Sequence, residues 1–186
     1  MTYPYDKIKR EWRRLSMNIR TQRLELHPFA DADMEALYKI LTNETVGKTY
    51  LLPDFKNDAE VFALAKRLQV LSLEEERYVA GIYFKDKLIG ILNQTDIRGE
   101  TIEVGYALHP DYHNRGLATE ALKALIGYLF DKGFGAVWAG AFEDNVASLR
   151  VMEKAGMKRT NSRASIDYRG KTHRCVYYSM KKGVNL

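Results

Sequence analysis

Three small groups of residues in this chain have the types and spacing that chemistry asks for. The first is Glu103, in the run Ile102-Glu103-Val104-Gly105-Tyr106-Ala107-Leu108, where Ile102, Val104, Tyr106 and Leu108 alternate with smaller or polar residues. That period of two is a strand's, and it sets Glu103 on the face opposite Ile102 and Val104. A carboxylate there is either solvated or ion-paired, or a proton acceptor. The second group is the turn around Gly116 and Ala118. Pro110 and Asp111 break the strand before it, and Leu117, Ala121, Leu125, Ile126 and Leu129 follow at helical spacing. A helix start leaves N–H groups unpaired and carries partial positive charge, so it suits an anion such as phosphate when small side chains let it in. Gly116 and Ala118 keep the approach open, and the amides from Asn114 through Ala118, extended by Thr119, are the candidate cradle, with Arg115 adding charge. An ordinary strand-to-helix turn is the alternative. The third group is Asn145 and Ser148, which suit a helix start and can cap it. His109 and His113 have the right side chain for a base near neutrality, but both edge the loop.

The elements that must position these groups can be read in order. Residues 23–29 alternate as a strand, Asp31 or Asp33 can cap a helix through 43, and residues 44–56 look irregular. A second helix runs from Asp58 to about Leu71. Residues 77–84 and 88–97 read as an antiparallel pair around Lys85-Asp86-Lys87, with Gly90 a bulge or close-approach point. Gly133 stops the central helix, residues 136–142 form a strand, and a helix capped at Asp144 or Asn145 ends at Gly156. Two last strands, 157–168 and 172–180, flank Arg169-Gly170-Lys171. The order β-α-α-β-β-β-α-β-α-β-β describes an α/β (α+β) sandwich with one mixed sheet. Trp138 is expected in the core.

The bounds agree with one domain. The chain has 186 residues, 46% hydrophobic and 28% charged, within the roughly 100–200 residues usual for a domain. A basic extension over residues 1–17 and a single domain over 18–186 are expected. The lone cysteine, Cys175, supplies neither a disulfide framework nor a metal cluster, and is expected buried in a strand. No apolar run approaches the roughly 20 residues a membrane helix needs, and no apolar signal core follows the basic start, so a cytoplasmic protein without membrane contact is expected. A net charge of +5 is modest, and no direct nucleic-acid contact is expected.

Glu103-Val104-Gly105-Tyr106, His113-Asn114-Arg115-Gly116-Leu117-Ala118-Thr119-Glu120-Ala121, Asn145-Val146-Ala147-Ser148 and Lys154-Ala155-Gly156-Met157 stand in the order of the GNAT acetyltransferase superfamily. Over about residues 18–182 the chain resembles it, above all the branch with the ribosomal-protein N-terminal acetyltransferases. The resemblance implies a mixed, mostly antiparallel central sheet flanked by helices, with acetyl-CoA in the splay between two central strands. It implies pyrophosphate at 113–119, although His113 stands where the family has Gln or Arg. It also implies the pantetheine arm at Asn145, the sulfur near Ser148, and an oxyanion donor at the amide of Ala107 or Leu108. An alkyl amine has a pKa of about 10 and needs a base at neutral pH, and Glu103 is the candidate. Relatives carry a tyrosine acid seven residues after the asparagine. Here that position is Met152, so Ser148 or a water must serve. Tyr106 is expected to wall the acetyl pocket, and Tyr50 and Phe55 the acceptor site. The implied activity is N-acetylation of a primary amine, on a protein N-terminus or a small molecule, by a monomer or homodimer. The alternatives are a non-catalytic CoA-binding module and a nucleic-acid contact through the basic arm.

Overall fold

The computed structural model describes residues 17–183, so the basic extension lies outside the described residues except for Met17. In chain order the main elements are β1 (Ile19–Arg20), β2 (Leu24–His27), α1 (Met34–Leu41), α2 (Glu44–Gly47), α3 (Asp58–Ser72), β3 (Val79–Phe84), β4 (Lys87–Arg98), β5 (Thr101–Leu108), α4 (Leu117–Asp131), β6 (Ala136–Phe142), α5 (Val146–Lys154), β7 (Lys158–Tyr168) and β8 (Lys171–Lys181). Two pieces go beyond the sequence expectation. β1 is two residues long and exists only by pairing with Glu25 and Leu26. α2 is one turn inside the stretch expected to be irregular, started by Asn43, whose Oδ1 accepts the N–H of Thr45 and Val46. Met17, expected in the extension, is buried in the core at 3% exposure.

The strands form one sheet in the order β1-β2-β3-β4-β5-β6-β8-β7. Neighbours are antiparallel except β5 and β6, which are parallel because α4 carries the chain across between them. The turns follow from their residues. Lys85 and Asp86 both have positive φ, 51° and 61°, in the tight loop between β3 and β4. Gly90 is both bulge and close approach: Ile82 faces Gly90 while Tyr83 faces Leu88, leaving Ile89 as the extra residue. A Cβ at 90 would stand 2.4 Å from the Ala107 carbonyl oxygen.

Each face of the sheet has its own core. On one, α4 and α5 cover Ile82, Ile102, Val104 and Val137 with Leu122, Leu125, Ile126 and Met152. On the other, α1 and α3 cover Val79, Tyr83, Ile91 and Ala107 with Leu37, Ile40, Val61 and Ala65. None of that second cluster's buried members comes from β6, β7 or β8, which leaves the second face bare around Trp138 and Tyr177, while Phe142 and Cys175 farther along it are buried. Asp33 begins α1 but makes no side-chain cap. Its carboxylate instead accepts the Ala30 N–H at 2.7 Å and the Tyr83 hydroxyl at 2.6 Å.

Candidate active site

The parallel pair is short. β5 and β6 are in register only at Thr101–Glu103 against Ala136–Trp138. Beyond it β5 stays with β4 through Leu108 and β6 stays with β8 through Phe142, so the two strands part. A cavity of about 160 Å³ lies in the splay, with Glu103, Gly105, Tyr106, Gly140, Asn145 and Ser148 among its walls. The sequence-selected Glu103, Asn145 and Ser148 are therefore brought together.

Glu103 stands at the closed end of the splay, on the face opposite Ile102 and Val104 as the alternation requires. It is half-buried, and burial raises its pKa above the ordinary carboxylate value. The nearby Asp96 charge pushes the same way, while the Thr95 hydroxyl and Arg98 oppose it. Asn145 caps α5: its Oδ1 accepts the Ser148 N–H at 3.2 Å and its Nδ2 donates to Ser148 Oγ at 3.0 Å. The Ser148 hydroxyl also lies within hydrogen-bonding reach of the Tyr106 phenol, which partly opposes the effect of burial on that group. Tyr106 Oη donates to the Ser148 carbonyl at 3.2 Å, and burial raises its pKa, so it remains a neutral phenol. Met152 is 0% exposed in the core under α5 and has no place on the cavity wall.

Strand phase distinguishes the two amides expected to face an oxyanion. The His109 N–H donates to the Ile89 carbonyl at 2.8 Å. Alternation along the regular β4–β5 ladder then turns the Ala107 N–H toward β4 as well, and those of Tyr106 and Leu108 toward the splay. Ala107 is thus a ladder residue, and Leu108 keeps the candidate role.

At the open end lies the start of α4. Gly116 caps it with φ of 74°, preceded by Asn114 at 58°. The amides of Leu117, Ala118 and Thr119 find no acceptor among the described residues, whereas the Glu120 N–H returns to the Gly116 carbonyl. That is the free cradle. His113 braces it instead of joining it: its N–H donates to the Pro110 carbonyl, and its Nε2 lies 2.9 Å from the Leu108 oxygen. The Arg115 guanidinium lies over the Phe84 ring, 4.9 Å from its centroid. Glu120 in the first turn is neutralised by Arg23, Nε to Oε2 at 2.7 Å.

Four site residues escaped sequence reasoning. Tyr50 was expected, but its anchor Asn93 was not: Tyr50 Oη donates to Asn93 Oδ1 at 2.6 Å beside Gly105. Tyr177 lies flat on β6, where a Cβ at Gly140 would stand 2.8 Å from its ring. Trp138, expected in the core, is half-buried on the bare face, because no helix covers β6 there. Tyr168, at the tip of the β7–β8 hairpin, donates to the Gly47 carbonyl at 2.7 Å and accepts the Leu52 N–H at 3.3 Å. A tyrosine before the Arg169-Gly170 turn was its only local signal. Phe55, expected beside Tyr50, lines a separate groove with Asn43, Asp58 and Arg169. Tyr168→Phe strips partners from two backbone groups and is expected to cost about 1–3 kcal/mol, read as a lower Tm by calorimetry. An unchanged Tm would show that the latch carries no stability.

The architecture is first of all that of a GNAT fold. The RimL ribosomal L7/L12 alpha-N-protein acetyltransferase, solved in complex with coenzyme A, superposes with a TM-score of 0.77 at 16% identity, over 91% of this chain and 100% of that one. The sequence then gives the family. Residues 23–158 match the Acetyltransferase (GNAT) domain. The uncharacterized N-acetyltransferase YnaD of Bacillus subtilis (strain 168) is 30% identical over 77% of this chain and 84% of its own length. The ribosomal-protein-serine acetyltransferase of Escherichia coli (strain K12) is 28% identical over 61% and 66%. The chain belongs to the GNAT acetyltransferase family, and it is an acyltransferase.

Proposed function

We propose that this enzyme transfers the acetyl group of acetyl-CoA to a primary amine, with Glu103 as base and Ser148 as proton donor. The observation that carries the reading is the convergence, on one splayed cavity, of the half-buried Glu103 carboxylate and the Ser148 hydroxyl, with the Leu108 N–H turned toward the same splay. The residues fit the donor. Leu117, Ala118 and Thr119 offer free amides to a pyrophosphate, Gly116 leaves room for it, and Asn145 and Ser148 line the splay and would hold the thiol-bearing arm. When bound, acetyl-CoA supplies a thioester carbonyl open to a nucleophile.

The chain's own residues do the rest. Glu103 takes the proton an ammonium must lose before its lone pair is available. The N–C bond then forms and the C–S bond breaks. Of the two protons the nitrogen sheds, one ends on sulfur through Ser148 and the other in solvent. The Leu108 N–H, turned toward the splay, would donate to the carbonyl oxygen as charge builds on it. Met152, buried in the core, leaves no acid at the usual place, which gives Ser148 its role. The acceptor is a small amine or a protein N-terminus, the latter supported by the relatives that acetylate ribosomal proteins.

The test is acetyl-CoA turnover, followed by thiol release, against peptides with free N-termini and small amines. Ser148→Ala is expected to lower kcat about 10-fold or more with little change in acetyl-CoA affinity. An enzyme that binds acetyl-CoA and acetylates no amine would sink the reading and favour a non-catalytic module.

A further inference from the structure

A second hollow adjoins the splay. Glu103 and Tyr177 line both the 160 Å³ cavity and a groove of about 390 Å³ on the bare sheet face, whose other walls include Asp96, Arg98, Trp138 and Ser162. A bulge shapes its far side. Arg159 faces Tyr178 and Arg163 faces Val176, so Thr160, Asn161 and Ser162 together oppose Tyr177 alone. The Thr160 hydroxyl braces the bulge, donating to the Tyr177 carbonyl at 3.0 Å and accepting the Ser162 N–H at 3.2 Å.

The groove has two kinds of wall. Trp138 and Tyr177 give it two half-buried rings with centroids 6.5 Å apart, an apolar floor that no helix of the second face covers. Its charges are unevenly matched. Asp96 is held by Arg98, with Nε at 2.6 Å. Glu103 has no ion-pair partner among the described residues. The groove therefore presents one carboxylate outside any ion pair, within the field of Arg98 but not bound by it, beside two aromatic faces that also attract cations.

We infer that the acceptor enters through this groove as a singly charged ammonium carried on an apolar or aromatic body. The charge meets Glu103 and the body lies on Trp138 and Tyr177. A polycation is disfavoured, because Arg98 already occupies Asp96 and a second ammonium would find no free carboxylate there. The same chemistry describes an arylalkylamine and a peptide N-terminus beginning with a large apolar residue. This inference rests on the acetyl-transfer reading above.

The test is the intrinsic fluorescence of Trp138 in the CoA-bound enzyme, with Trp138→Phe as the blank that retains Trp12. An arylalkylamine, a tripeptide with a free apolar N-terminus, its N-acetylated form and spermidine are titrated in turn. The first, the second or both should give a saturable change that the blank lacks, and the acetylated peptide and spermidine should bind at least about 10-fold more weakly. Whichever of the first two binds identifies the source. In turnover, Trp138→Leu should raise the acceptor KM about 10-fold or more with kcat and the acetyl-CoA KM little changed. Spermidine binding as well as the monoamines, or an acceptor KM unmoved by Trp138→Leu, would overturn the inference. CoA binding is measured on the same samples by calorimetry. Its absence would overturn the acetyl-transfer reading instead, whereas CoA binding and amine turnover with a silent Trp138 would overturn the groove alone.

Discussion

Glu103→Gln is expected to cut kcat/KM for amine acetylation about 100-fold or more, the usual weight of a positioned base, while leaving acetyl-CoA affinity nearly unchanged. Its pH signature is equally specific. Burial raises the Glu103 pKa, so the acid limb of kcat/KM should lie above the ordinary carboxylate range, and the glutamine variant should lack it. A carboxylic acid whose folded pKa is raised binds its proton more tightly in the native state. Its contribution to stability is therefore present at low pH and lost as pH rises through the folded value. Removing the charge should accordingly raise Tm at pH 7, not lower it. Stability gained and activity lost in one substitution marks a functional carboxylate. A variant retaining full activity would dismiss Glu103 as base, leaving it a desolvated sheet residue.

The second large effect is expected at Gly116. Its φ of 74° is left-handed, and a residue with a Cβ pays about 1–2 kcal/mol there. Gly116→Ala should thus lose stability and, by narrowing the approach to the free amides, most of the affinity for acetyl-CoA. Protein crowding is not the cause, since a Cβ would meet only Arg23 Nη2 at 3.5 Å, an ordinary contact. Asparagine tolerates the left-handed region better, so Gly116→Asn separates the two effects. It should recover much of the Tm and still bind acetyl-CoA poorly by calorimetry. If the asparagine variant binds normally, this turn does not hold the phosphates.

Why these predictions were open to sequence reasoning differs from residue to residue. The helix start at Gly116 and the stops at Gly133 and Gly156 carry local signals, because positive φ belongs to glycine, and all three fall in that region. The alternation around Glu103 assigned its face for the same local reason. The helix start at Gly116 and the Asn145–Ser148 cap were legible through the order of their motifs. The groove proposed for the acceptor was not. Whether Trp138 is core or groove depends on where α1 and α3 stop across the second face, and no spacing near residue 138 reports it. Tyr177 reaches the site only through its pairing with Gly140, a partner far away in the chain. Ala107 and Leu108 look equivalent until the His109–Ile89 bond sets the ladder's phase. β1 is too short for periodicity and is defined by its neighbour alone.

Tyr168 has a mechanical meaning beyond the bonds it makes. The strands from β1 to β5 and the trio β6, β8 and β7 meet directly at only three residue pairs. Tyr168 belongs to the trio, yet it grips the segment whose Tyr50 is fastened to Asn93 on β4. The split between the strands is thereby tied at both ends, like a buttonhole stitched at its corners. Contacts at both ends brace its width, and on the reading proposed above cofactor and acceptor would meet by threading from opposite sides of the cloth, without the halves closing over them.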